Sequence, residues 1–302
     1  MRVGVSLQDP TGPSPMTALR EELQRAADQG FASAWLNNIF GVDALTALAV
    51  AGSQVPGIEV GTAVVPTYPR HPAVLAQQAR TVAAAVDGRL VLGIGLSHKI
   101  VIEDMFGYDF GRPILHMREY LAVLLPLLDG QPASFTGTTV RASIGLTTPS
   151  PGRVPVVVAA LGAQMLRLAG EQTDGTVLWM TGPATVRDHI VPILTAAAES
   201  AGRPGPRVVC ILPVCVTSDP DGARERAARV FAIYGELPSY RAMLDREGAS
   251  GPADVAIVGD EDTVAAQIAV LAEAGVTDFV AGEYTGGPDG ARTRAFLRTL
   301  LS

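Results

Sequence analysis

Arg89-Leu90-Val91-Leu92-Gly93-Ile94-Gly95-Leu96-Ser97-His98-Lys99 governs how the rest of the chain is read. An apolar run of strand character ends in Gly-x-Gly, then in a polar cluster holding one of the four histidines and the single lysine. Two glycines at a strand's end carry no Cβ, so a flat ligand can approach the backbone closely. Close packing of this strand end against a neighbour is the other reading. A histidine just past such a strand stands where a barrel or an open α/β sheet keeps its chemistry, at the carboxyl ends of the strands. The segment is not a dinucleotide fingerprint, because the third glycine and an immediately following helix are missing.

Outward from this stretch, short β-branched runs alternate with longer Ala- and Leu-rich amphipathic runs. On the amino-terminal side the pattern predicts strands over 3–8, 32–37 and 58–65 and helices over 18–29, 43–53 and 71–86. Gly30 closes the first helix, Asp43 is placed to cap the second, and His71 caps the third just before Pro72. Past His98 the rhythm breaks. Residues 98–152 hold a loop, an amphipathic helix near 117–129 and an alternating segment over 133–142 that reads as a hairpin. Strands over 154–160, 175–180, 207–216 and 278–283 then alternate with helices over 164–171, 185–201, 221–247 and 262–274, and a helix over 289–300 ends the series.

Eight strand–helix units favour the α/β class and a closed (β/α)8 TIM barrel over an open sheet, with insertions after strands four and seven. Loops inserted after a barrel strand lie at the catalytic face, so the 98–152 insertion is expected to cover the active site. The runs Pro149-Ser150-Pro151-Gly152 and Gly202-Arg203-Pro204-Gly205-Pro206 are short and read as loops, so 1–302 is taken as one domain.

The composition narrows the function. A hydrophobic share of 48% against 18% charged favours a packed globular chain over a disordered one. The net charge of −7, with no basic block, argues against a nucleic-acid partner. No apolar run reaches about 18 residues, so no membrane span is expected. The amino terminus is already strand-like with no signal peptide before it, which points to a cytoplasmic protein. Cys210 and Cys215 lie an odd offset apart in one strand-like run, so they face opposite sides and read as small core residues rather than a disulfide. The histidines are scattered and no CxxC occurs, so no metal site is expected. No G-x-S-x-G elbow or P-loop is present, which removes the hydrolase and nucleotidase readings a barrel could carry.

Polar residues also collect at other strand ends. Asn37-Asn38 closes the second strand, where Asn38 either holds a hydroxyl or carbonyl or caps the strand. Tyr68 and Arg70 follow the third strand, and an arginine there could grip an anionic tail bidentately. Ala159-Ala160-Leu161-Gly162-Ala163-Gln164-Met165 joins a strand to a helix. The free N–H groups and dipole of such a turn suit a phosphate, although an ordinary strand-to-helix turn reads the same. Trp179 ends the sixth strand and either lines a pocket or packs, while Trp35 reads as core. His116 and His189 lie in helical stretches and read as surface or satisfied core histidines.

Several segments together resemble the luciferase-like monooxygenase superfamily, and more narrowly its coenzyme F420-dependent oxidoreductases. They are Gly30-Phe31-Ala32-Ser33-Ala34-Trp35, then Gly61-Thr62-Ala63-Val64-Val65-Pro66 with Arg70-His71-Pro72-Ala73, and Gly88-Arg89 through Ser97-His98. Pro155-Val156-Val157-Val158-Ala159-Ala160 follows, and last Ile257-Val258-Gly259-Asp260 leading to Ala274-Gly275-Val276-Thr277-Asp278-Phe279. They stand in family order along nearly the whole chain.

The resemblance implies a TIM barrel that binds a flavin or deazaflavin, usually as a homodimer, with hydride moving to or from carbon 5 of the ring. It implies a non-proline cis peptide in the third strand, at Ala63–Val64 by position, forming a bulge behind the ring. It also implies backbone groups of Leu96 and Ser97 near the pyrimidine edge, Asn38 among the cofactor contacts, and the cofactor phosphate at Leu161, Gly162, Ala163 and Gln164. Tyr68 and Trp179 are expected to line the substrate pocket. His98 is the candidate catalytic residue, as a general acid near neutral pH or as a hydrogen-bond donor to the ring. Related enzymes often carry Glu or a small polar residue in its place. F420 enzymes often place Asp then His at the end of the second strand, where this chain has Asn38 and Ile39, so a catalytic acid is less expected there. The expected cofactor is coenzyme F420, with FMN the alternative. The expected activity is F420-dependent hydride transfer to or from a small organic substrate. An FMN-dependent monooxygenase is the alternative, and a cofactor-free, non-catalytic barrel the second.

Overall fold

The computed structural model describes residues 1–10, 12–148 and 152–301, so the loop predicted at Pro149-Ser150-Pro151 lies outside the described residues. β1 (Arg2–Leu7) leads through α1 (Pro15–Asp28), β2 (Ser33–Leu36) and α2 (Ala44–Gly52) to β3 (Glu59–Thr62) and β4 (Val65–Pro66). α3 (Pro72–Ala85) and β5 (Leu90–Gly95) follow. A π-helical turn (Val101–Met105), α4 (Pro113–Leu128) and the antiparallel pair β6 (Ala133–Thr136) and β7 (Arg141–Ile144) come before β8 (Val156–Val158). α5 (Ala163–Gln172), β9 (Gly175–Trp179), the one-turn α6 (Pro183–Thr185), a second π-helical turn (Val186–Ile190), α7 (Val191–Ser200) and β10 (Arg207–Val216) continue the series. α8 (Pro220–Val230), α9 (Ala232–Glu236), α10 (Pro238–Glu247) and a 3-10 turn (Pro252–Val255) then separate β10 from β11 (Ile257–Gly259). α11 (Glu261–Glu273), β12 (Asp278–Glu283) and α12 (Gly287–Thr299) end the chain.

The main sheet runs β11-β10-β12-β1-β2-β3-β5-β8-β9, and β10 also pairs with β9. That last pairing closes the sheet into a ring, with β4 continuing alongside β5 and β11 attached outside the ring to β10. The registers are parallel, as in Val3 opposite Phe279 and Val209 opposite Val177. The chain has the (β/α)8 TIM-barrel fold of the α/β class. Parallel strands covered on both faces read as unbroken apolar runs. β5 is buried along its whole length, as is β10 after Arg207.

Local chemistry sets the element ends. Asp43 Oδ1 accepts from Thr46 N–H at 2.9 Å, and His71 Nδ1 from Ala73 N–H at 3.3 Å, so both predicted caps form. The predicted third strand is broken into β3 and β4. The helix predicted over 185–201 opens with α6 and a π-helical turn, because Pro192 offers no N–H to the preceding turn. β11 has no predicted counterpart; three residues are too few to carry a pattern.

The chain packs as two compact units. One comprises Met1–Ser6, Asp28–Trp35 and Ala160–Ser302. In it the buried Asp278 carboxylate is gripped by Arg207 Nη2 at 2.6 Å and Arg2 Nη1 at 3.3 Å, and takes Thr277 Oγ1–H at 2.7 Å, at the amino ends of β1, β10 and β12. Trp35 is wholly buried, as expected, and donates its indole N–H to Ser33 Oγ at 2.9 Å. Cys210 and Cys215 are free and buried.

The other unit comprises Leu7–Ala27 and Leu36–Ala159. There the buried Arg80 donates to Leu127 C=O at 3.1 Å and to Thr148 C=O, pinning the end of α4. Glu119, buried on α4, accepts from Thr138 N–H (2.8 Å), Thr139 N–H (2.6 Å), Thr139 Oγ1–H (2.7 Å) and Val140 N–H (3.1 Å), which clamps the β6–β7 turn. Among the described residues no helix is long and apolar enough to cross a membrane, and no His, Cys, Asp and Glu cluster could hold a metal ion.

Candidate active site

β3 and β4 face β5 with one residue too many. Gly61 pairs with Val91 and Val65 with Ile94, so Thr62, Ala63 and Val64 stand opposite only Leu92 and Gly93. The extra residue makes a β-bulge. Inside it the Ala63–Val64 peptide bond is cis, where the family resemblance places it. Thr62 Oγ1 mends the interrupted ladder, donating to Gly93 C=O at 2.8 Å and accepting from Gly93 N–H at 2.9 Å. Ala63 N–H donates to Leu36 C=O at 2.9 Å and so ties the bulge to the end of β2.

The bulge explains the two glycines of the opening motif. A Cβ on Gly93 would stand 1.8 Å from the Thr62 carbonyl oxygen. One on Gly95 would stand 2.6 Å from Val64 Cγ2 and 3.2 Å from Ala159 Cβ. The expectation that these glycines clear space directly for a ligand is therefore corrected. Their missing side chains admit the neighbouring strand, and the bulge is the surface presented beyond them. One turn further, Ser97 takes the left-handed φ of +62°, uncommon for a residue with a side chain. Leu96, Ser97 and His98 are half-buried there.

His98 C=O accepts from Val101 N–H at 2.9 Å and Ile102 N–H at 3.0 Å, which starts the π-helical turn. Burial pushes the His98 imidazole below the ordinary histidine value. Its ring is neutral at pH 7, able to accept a proton or donate its one N–H, but not holding a second proton ready.

Of the two asparagines that follow β2, Asn38 accepts at its Oδ1 from Ala44 N–H at 2.9 Å, which commits that oxygen to the start of α2. Sequence reasoning passed over Asn37, whose Oδ1 is buried with no hydrogen-bond partner among the described residues. Arg70 is a second correction. It grips the Asp43 carboxylate and donates to Gln78 Oε1 at 2.9 Å, so its guanidinium serves the fold rather than standing open to an anionic tail.

A cavity of about 510 Å³ lies in the same unit, lined by Tyr68, Tyr108, Asp109, Arg112, His116, Thr138 and Thr139. Six of the seven come from the 98–152 segment. Tyr68 stacks on His116, with ring centroids 4.0 Å apart and planes at 5°, and on Phe110 at 5.3 Å. It donates to Phe110 C=O at 2.9 Å. Burial, then the Asp109 and Glu103 carboxylates, push its phenol up to about 12, so it stays protonated. His116 Nε2 meets Thr67 Oγ1 at 3.0 Å, and burial takes its imidazole down to about 4 against the opposing pull of Glu119. It is a satisfied core histidine, one of the two readings its sequence allowed. Burial would raise the Glu119 carboxyl, but the donations from Thr138, Thr139 and Val140 outweigh that and hold it at about 2.

In the other unit, Gly162 caps α5 with no side-chain hydrogen bond, and a Cβ there would meet open space. Leu161 and Ala163 are half-buried and Gln164 exposed. His189 Nε2–H donates to Leu161 C=O at 2.8 Å, so His189 too is satisfied. Trp179, at the carboxyl end of β9, meets Phe231 and Tyr234 edge-on with centroids 5.6 and 5.7 Å away, and Phe231 in turn meets Tyr284 at 5.6 Å. The next residue, the buried Met180, has φ +53°. The partners Phe231, Tyr234 and Tyr284 escaped sequence reasoning because they lie scattered over 231–284 with no shared spacing.

The luciferase-like monooxygenase family model matches residues 1–278, and the chain belongs to that family. It is an oxidoreductase of the luciferase-like class. The 5,10-methylenetetrahydromethanopterin reductase of Methanolobus tindarius is 25% identical over 303 residues, covering 90% of this chain and 92% of its own length. The solved coenzyme F420-dependent tetrahydromethanopterin reductase of Methanopyrus kandleri superposes with a TM-score of 0.83 at 24% identity, over 98% of this chain and 97% of its own. The oxygenating constituent of 3,6-diketocamphane monooxygenase from Pseudomonas putida, solved with FMN, gives 0.78 at 18% identity, over 100% of this chain and 97% of its own.

Proposed function

We propose that this chain is a coenzyme F420-dependent oxidoreductase that moves a hydride between the deazaflavin and a small organic substrate. The observation that supports a flat redox ring is the bulge at Thr62–Val65, packed tight against Gly93 and Gly95 and bordered by the sharp turn at Ser97. The preference for F420 over FMN leans on the likeness to the methanopterin reductases, one of them named as F420-dependent.

When bound, the deazaflavin supplies the carbon that takes or gives the hydride, and the protein supplies position and electrostatics. Ala63 and Val64 back the ring. The backbone of Leu96 and Ser97 would hold the ring there, with Asn38 a further contact. Leu161, Gly162, Ala163 and Gln164 form the phosphate turn, where uncapped helical N–H groups favour an anion. His98 is the catalytic group, a neutral imidazole at pH 7 that hydrogen-bonds the ring or takes up a proton. The substrate lies under the 98–152 insertion in the cavity lined by Tyr68. Trp179, at the carboxyl end of β9, is the pocket residue proposed for its own unit. The chain acts as one domain in a cytoplasmic homodimer, a state that sedimentation velocity checks directly.

Anaerobic titration with F420 and, separately, with FMN tests the reading. Saturable uptake of F420, seen as a change in the deazaflavin absorbance band, is the expected result. Uptake of FMN alone replaces the reading with the flavin monooxygenase. Uptake of neither replaces it with a non-catalytic barrel.

A further inference from the structure

Asn37 carries a buried side-chain oxygen that the fold does not use. Its Oδ1 has no hydrogen-bond partner among the described residues, whereas most buried polar atoms of folded chains are paired. The segment that carries Asn37 is not loose. Leu36 C=O on one side is held by Ala63 N–H at 2.9 Å, and Asn38 Oδ1 on the other by Ala44 N–H at 2.9 Å. Further on, Val42 N–H is held by Asp9 Oδ1 at 3.2 Å, and a Cβ on Gly41 would fall within 2.4 Å of that carboxylate. The backbone that carries Asn37 is thus held on both sides, at the carboxyl end of its strand and next to the bulge. A buried acceptor on such a backbone, unpaired among the described residues, is open to a ligand's donor.

We infer that Asn37 binds the redox ring, with Oδ1 accepting the N–H that lies between the two carbonyls on the ring's pyrimidine edge. Flavin and deazaflavin share that edge. The inference therefore rests on the proposed ring site but not on the choice between F420 and FMN. It adds a contact just past the end of β2, beside the one proposed for Asn38.

Asn37→Leu keeps the volume and removes both polar atoms. The ligand-free variant is expected to melt at or above the wild-type Tm, because the orphan oxygen is gone. Its Kd for whichever of F420 or FMN the wild type binds is expected to rise about 10- to 100-fold. The opposite movement of the two readouts separates binding from a structural role. Asn37→Ser, smaller and unable to reach as far, is expected to weaken binding in the same direction and serves if the leucine variant does not fold. A folded variant with unchanged Kd overturns the inference and leaves the ring reading standing. A lowered Tm with unchanged Kd does the same. Wild-type protein that binds FMN but not F420 removes the F420 reading alone, and the shift is then read on FMN. Wild-type protein that binds neither overturns both.

Discussion

Gly93 and Gly95 share one motif but meet different obstacles, and their substitutions should differ accordingly. A Cβ on Gly93 would run into the backbone oxygen of Thr62, which cannot move without opening the Thr62–Gly93 hydrogen bonds. One on Gly95 would run into the tip of the Val64 side chain. Gly95→Ala is expected to cost about 1–3 kcal/mol, partly recovered in the double variant with Val64→Ala. Gly93→Ala is expected to cost more, with no recovery. Urea unfolding of the wild type, the two single variants and each combined with Val64→Ala checks this, and equal costs would contradict the bulge geometry. The histidines give a second prediction at this scale. Burial lowers His98 below the ordinary value and His116 to about 4, so the unfolded chain takes up protons near pH 6.5 that the folded chain refuses. The His116 contribution is full above about pH 6.5 and is lost as the pH falls toward 4, and that of His98 changes in the same direction. His116→Gln should flatten that fall in a pH series of denaturant midpoints, and a wild-type imidazole titrating at 6.5 or above by NMR would contradict it.

The β6–β7 hairpin shows what an element owes to one distant side chain. Its turn is too short to bury a core, and Glu119 on α4 takes three of its N–H groups and a hydroxyl. Glu119→Gln replaces one carboxylate oxygen with a donor facing donors and removes the charge that strengthens the rest. The expected cost is about 2–4 kcal/mol, with the amides of Thr138, Thr139 and Val140 the first to exchange faster with solvent. Unchanged exchange at those amides would mean the hairpin stands on its own strands. The hairpin itself was legible in the alternation over 133–142, but the clamp was not, because its partners lie 19 to 21 residues apart. The bulge was legible only through family resemblance. Nothing in Gly61-Thr62-Ala63-Val64-Val65 departs from strand character, and the extra residue exists only relative to β5. Asn37 was hidden for the same reason. Two adjacent asparagines look alike in a sequence, and only their partners tell the side chain that holds Ala44 N–H from the orphan.

At the scale of the molecule, the alternation of strand and helix sufficed for the barrel, since the longest ring strands, β5 and β10, are apolar runs and the crossover between parallel strands has one favoured hand. The division into two units was not legible. The chain passes between them at Ser6–Leu7, Ala27–Asp28, Trp35–Leu36 and Ala159–Ala160, inside or beside regular elements, with no linker composition to mark it. Barrels keep chemistry at the carboxyl ends of their strands and stability at the amino ends, and the Asp278 cluster is a stability device of the second kind. It joins β1, β10 and β12 through Arg2, Arg207 and Thr277 around a carboxylate only 2% exposed. Arg207→Ala leaves that buried charge short of its main partner and is expected to cost about 3–5 kcal/mol. Adding Asp278→Asn removes the stranded charge and should recover part of the loss. Neither variant is expected to move the cofactor Kd, since no cluster residue stands at a carboxyl strand end. Denaturant unfolding and cofactor titration of the same three proteins separate the two ends of the barrel. An affinity that fell in step with stability would show that the site depends on global stiffness rather than on the bulge and the strand-end residues around it.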